Sequence, residues 1–144
     1  MTNQETTPAS DTQESLRDGI IHSISVPRMA RLLEKCGFVP QILRADDGRP
    51  AVRFMKLGMS GMVLMFGNSE AHPDLFRLCV LTAYLNGEMP ADQINAISAR
   101  GVLPKIYIRD KTTVIELCIP VEAGLSEEAV LYFISAFEAF LKAA

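Results

Sequence analysis

The chain has 144 residues, 49% hydrophobic and 22% charged, with a formal net charge of −3. That is the size and make-up of one soluble domain with a genuine core. The weak acidity excludes a basic nucleic-acid surface and argues against docking on anionic membranes, and no apolar run reaches the length of a spanning helix.

The first stretch, "MTNQETTPASDTQES", has neither the basic nor the apolar region of a secretory signal. Residues 1–15 offer too little apolar surface to offset ordering entropy, so they are expected to form a disordered tail before a single domain at 16–144. Residues 16–24 carry no clear period and are taken as a lead-in. The first helix is expected in "SISVPRMARLLEKCGF", with Ser25 as N-cap, Pro27 in the first turn and Gly37 as the left-handed stop. Met29, Leu32, Leu33 and Cys36 fall on one helical face, and Ile24 and Met29 are spaced as a hydrophobic staple.

Strands follow. "PQILRA" runs into Asp46-Asp47-Gly48, a hairpin signal, and returns through Pro50 as "AVRFMKL". "GMSG" is expected to turn the chain into "MVLMFG", and the loop "NSEAHPD" leads to a fourth strand, "LFRLCVLTAYL". Pro90 opens a second helix, "PADQINAISAR", with Ile94 and Ile97 inward and Gly101 as its stop. A hairpin, "PKIYIRDKTTVIELCIP", puts Ile106, Ile108, Ile115, Leu117 and Ile119 on one face. Glu116 lies across from Lys105 or from Tyr107, depending on the turn register. The last helix is capped by Ser126, has Glu127 and Glu128 in its first turn, and is stapled by Leu125 and Val130. Val130, Phe133, Ile134, Phe137, Phe140 and Leu141 form its apolar stripe.

The order α-β-β-β-β-α-β-β-α, with strands joined by hairpins and helices segregated from them, predicts an α+β fold: an antiparallel sheet of five to six strands with three helices.

Chemistry is sparse. Cys36, Cys79 and Cys118 are odd in number and far apart, which excludes a disulfide framework or a zinc site. All three sit in apolar segments and are expected in the core of a protein in a reducing compartment, the cytoplasm. His22 and His72 are the only imidazole bases, one near the tail and one in a loop, and no motif supplies a nucleophile with a base in reach. Glu70, His72 and Asp74 in one short loop are better read as solvated residues than as metal ligands. Nor does "GMSG" hand a phosphate to a helix N-terminus. Tyr84, Tyr107 and Tyr132 lack the basic stripe of a nucleic-acid platform. The expectation is a non-enzymatic protein with no catalytic, cofactor or metal residues.

What remains is surface. The third and fourth strands are apolar on both faces, and two-sided burial requires cover on each side. Either the three helices divide between the faces, or another protein covers part of the sheet: a second copy or a client. Adaptable methionines suit the second case. Met62, Leu64, Phe66, Leu78 and Val80 are the candidate contact residues, with the outward face left open. The rival is a small-molecule sensor whose apolar pocket would be lined by Phe54, Phe66, Phe137 and Phe140.

The C-terminal half, "PADQINAISARGVLPKIYIRDKTTVIELCIPVEAGLSEEAVLYFISAFEAFLKAA", resembles the YbjN family of bacterial sensory transduction regulators through Ile94-Asn95, Tyr107, Asp110 and Gly124 to Glu128. "SVPRMARLLEKCGF" is similar to that family's opening helix, so the likeness spans roughly residues 25 to 142. It departs from the family where Ile97-Ser98 replaces a Trp-Asn pair and where the strands are richer in methionine. The resemblance implies a type III secretion chaperone-like fold and a homodimeric regulator or chaperone-like protein. Such chaperones take up an extended client on apolar grooves and sheet edges.

Overall fold

The computed structural model describes residues 19–100 and 104–143. The expected tail at 1–15 and the expected stop at Gly101 lie outside them. The elements are α1 (Val26–Lys35), β1 (Val39–Arg44), β2 (Pro50–Lys56), β3 (Met59–Phe66), β4 (Leu78–Leu85), α2 (Ala91–Arg100), β5 (Lys105–Arg109), β6 (Thr112–Ile119) and α3 (Glu127–Ala143). The strands form one antiparallel sheet in the order β1-β2-β3-β4-β6-β5. Four successive strands make a meander. After α2 the chain lays β5 at the far edge, and β6 returns between β4 and β5. Among the described residues the three α-helices and six strands are those expected.

Local chemistry sets the boundaries. Ser25 caps α1, its Oγ accepting from the Arg28 N–H at 3.2 Å, and Gly37 takes φ +88° just beyond the end of the helix. In the β1–β2 turn, Asp47 accepts from the Arg49 N–H at 2.9 Å. The β2–β3 turn is not "GMSG". It is Leu57-Gly58, both left-handed at φ +46° and +85°, and Met59, Ser60 and Gly61 are already strand residues. Two left-handed residues match the twist of a tight hairpin, which three strand-like residues cannot. Gly61 is needed for another reason. The Phe54 ring lies over it, and a Cβ there would stand 2.5 Å from Phe54 Cζ and 2.8 Å from the Thr82 carbonyl oxygen.

The lead-in is part of the core. Ile24 exchanges backbone bonds with Phe76 at 2.8 and 2.9 Å, and Ile21 does so with Leu125 at 2.7 and 3.0 Å. Both isoleucines are buried. Phe76 therefore joins the lead-in, and β4 begins at Leu78.

α1 and α3 lie against each other on one face, α1 over β1 and β2, α3 over β4 and β6. Phe54 of β2 packs edge-on between Phe38 (centroids 4.9 Å apart) and Phe137 (6.2 Å), joining sheet to helices. Charges clamp the same side. Glu127 of α3 pairs with Arg28 of α1 at 3.1 Å and with Lys35, while Glu138 pairs with Lys56 of β2 at 2.8 Å and with Lys142 at 3.3 Å. The Lys35 ammonium and, after it, Arg28 hold the Glu127 carboxyl below its ordinary value against partial burial. Burial pushes Glu138 up, but Lys56 and Lys142 together outweigh it and leave it lowered.

α2 leans on β5, with Ile97 buried and Ile94 half-buried. Glu116 lies directly across from Lys105, which settles the hairpin register. The cysteines divide. Cys79 is buried and its thiol is pushed up to about 12 by burial, Cys36 is half-buried, and Cys118 is exposed. Cys118 is not a core residue because strand alternation turns it to the face opposite α1 and α3.

Candidate protein-binding face

Strand parity divides the apolar residues of β3. Val63 and Met65 pass under the helices and are buried, whereas Met62, Leu64 and Phe66 point to the opposite face. The register continues each choice into β4: Met62 lies beside Thr82, Leu64 beside Val80 and Phe66 beside Leu78. All five candidate residues thus share one face and occupy adjacent positions in the register. In the single chain each is half-buried rather than sealed. The four phenylalanines of the rival pocket are not brought together: Phe54 and Phe137 are packed in the core, while Phe66 is on the open face.

The same rows continue across the four inner strands. Ala51, Leu64, Val80 and Cys118 form one; Arg53, Met62, Thr82, Glu116 and Lys105 form the next. The face is therefore apolar in the middle and charged toward both sides. The Arg49 guanidinium stacks on the Phe66 ring at 4.0 Å and reaches Asp47 at 3.4 Å. Glu116 pairs with Lys105 at 3.4 Å and accepts from Tyr107 Oη at 2.9 Å; Arg109 donates to the same Oη at 3.2 Å. Burial, and then Glu116, raises the Tyr107 phenol above its ordinary value. Thr82 Oγ1 is buried without a protein partner among the described residues. Sequence reasoning missed the apolar corner beyond β2: Leu57 is 94% exposed, Val39 64% and Met55 39%. Together with Met59 they border a shallow depression of about 410 Å³. The signal was a bulky residue at a left-handed turn position, where Asn or Gly is preferred.

A second feature was also missed. His22 and His72, far apart in sequence, meet in a cleft of about 320 Å³ lined by Ser23, Ser69, Leu75, Arg77 and Glu122. The Ile24–Phe76 bridge and the Glu122 N–H, donating to the Arg77 carbonyl at 3.0 Å, draw the three segments together. Glu70 and Asp74 do not line it, and among the described residues no three His, Cys, Asp or Glu side chains are grouped to hold a metal. Nor is any described helix long and apolar enough to cross a membrane.

No protein-family model matches the sequence, and no curated protein matches it. Among solved structures the chain is similar to the crystal structure of YbjN, "a putative transcription regulator from E. coli", with a TM-score of 0.51 at 12% identity, covering 82% of this chain and 86% of that one. The fold is YbjN-like. The architecture implied by Ile94-Asn95, Tyr107 and the capped last helix is thereby shown. At this identity the YbjN likeness speaks for the fold alone.

Proposed function

We propose that this chain is a non-enzymatic protein-binding domain that works as a homodimer, in a regulatory or chaperone-like role. The observation that carries the reading is the contiguous apolar face formed by Met62, Leu64, Phe66, Leu78 and Val80, opposite the two helices that seal the core. Such a face marks an interaction site when it is continuous and rimmed by polar residues. The regulatory part follows the description of the YbjN structure, and the overall charge of −3 favours a protein partner over a nucleic acid. Placement in the cytoplasm rests on the cysteine usage.

Leu64→Asp tests the reading. It puts a carboxylate in the middle of the face and leaves the helix-covered core untouched. Size exclusion with light scattering at micromolar concentration should show association by the parent chain and none by the variant, at equal circular dichroism. A parent chain that stays monomeric and binds no client through this face would end the reading. A ligand-sensing role has one observation in its favour, the polar cleft at His22, His72 and Arg77. Native mass spectrometry of freshly purified protein would reveal a retained small molecule as added mass.

A further inference from the structure

We propose that the open face is self-complementary and that a second copy of this chain covers it, about a two-fold axis running along the strands between β3 and β4. The proposal rests on the protein-binding reading above and names the partner and its register.

The charges carry it. In the row Arg53–Met62–Thr82–Glu116, β2 and β6 stand at equal distances on either side of the β3/β4 boundary, and their residues are of opposite sign. Turning a second sheet over about that boundary exchanges β3 with β4 and β2 with β6. Arg53 of each copy then faces Glu116 of the other, twice over by symmetry. The same turn sets Leu64 over Val80 and Phe66 over Leu78, so the apolar centre closes on itself. Two sheets stacked at roughly 10 Å leave a gap that facing Arg and Glu side chains can bridge.

The alternative axis, at right angles to the strands through this row, would stack Arg53 on Arg53 and Glu116 on Glu116. Like charges brought together across an interface oppose association, and the pattern therefore selects the first arrangement. Both partners have capacity for the pair. Among the described residues Arg53 is exposed and has no ion pair, and Glu116 is bound by the exposed Lys105 and by Tyr107. The chain's first fifteen residues, Thr-, Ser- and Gln-rich, supply no apolar run that would suit the face instead.

Sedimentation equilibrium of the full chain across a concentration series tests the arrangement. The parent chain should dimerise. Arg53→Glu should weaken the dimer more than about tenfold, because two attractive contacts become repulsive. Glu116→Arg should do the same, and the double variant should recover most of the loss. Glu116→Arg also gives up the Lys105 and Tyr107 contacts, so Arg53→Glu is the cleaner arm, with circular dichroism as the check on folding. A dimer indifferent to Arg53→Glu would overturn this register and leave the protein-binding reading standing. A parent chain that is monomeric throughout, or that binds a single-stranded oligonucleotide through Arg53 in preference to itself, would overturn the second copy as the partner.

Discussion

Val63 and Leu64 are neighbours in one strand and are both aliphatic, yet one is sealed beneath α1 and α3 while the other is half-covered on the opposite side. The two faces of this sheet share aliphatic residues from the same strands and differ in what lies over them. On the covered face the residues are fitted to one another: Phe54 is wedged between Phe38 and Phe137, and Gly61 is bare because the Phe54 ring needs the room. On the open face charges stand at the sides and a methionine is near the centre. Shape-fitted apolar residues supply fold stability; adaptable ones left partly open supply a surface.

Substitutions should separate the faces. The largest loss is expected for Phe54→Ala, which empties the centre of the covered side and should cost about 3–5 kcal/mol by urea unfolding. Gly61→Ala comes next, at about 1–3 kcal/mol, because its new methyl meets the Phe54 ring and the backbone oxygen of Thr82. A Gly61→Ala variant as stable as the parent would contradict this packing.

Acid should act through the helix-covered side as well. The Glu127 and Glu138 carboxyls are both lowered in the folded chain, so the unfolded chain takes up protons first as pH falls. Their stabilisation is complete above the ordinary carboxylate range, near about 4.3, and is lost as pH drops through their folded values. Urea midpoints between pH 7 and pH 3 should fall in that window, and Glu138→Gln should be less stable at pH 7 with a shallower acid limb. The smallest effect is expected on the open side: Val80→Thr should stay within about 0.5 kcal/mol of the parent at low protein concentration. Thiol labelling at low protein concentration, where the open face is uncovered, should sharpen the contrast, with exposed Cys118 reacting in the folded chain and Cys79, buried and pushed up to about 12, reacting only on unfolding.

Much of this was legible from local chemistry. The caps at Ser25 and Ser126, the hairpin at Asp47-Gly48 and the stripe of α3 depend on neighbours in sequence, and those neighbours are in view. The two-sided apolarity of β3 and β4 was legible too, but not its division: parity groups Met62 with Leu64 without saying which side the helices take. The Leu57-Gly58 turn was hidden by a second glycine nearby whose purpose is packing against Phe54. Ile24 was legible as the staple of Met29, but Ile21 and the bridge from Ile24 to Phe76 were passed over because a two-residue bridge has no period to detect. The meeting of His22 with His72 depends on that bridge, so it was out of reach for the same reason.

The placement of β6 between β4 and β5 has a kinetic consequence. Strands β1 to β4 can assemble by successive hairpin closures between adjacent segments, whereas β4 gains its second neighbour only from a ribbon made after α2. Closing the longer loop carries the greater entropic penalty before any contact rewards it. Joining of the ribbon to the meander should therefore set the pace of refolding. In stopped-flow experiments, truncating Leu117 at that seam should retard folding more than truncating Val52 within the meander.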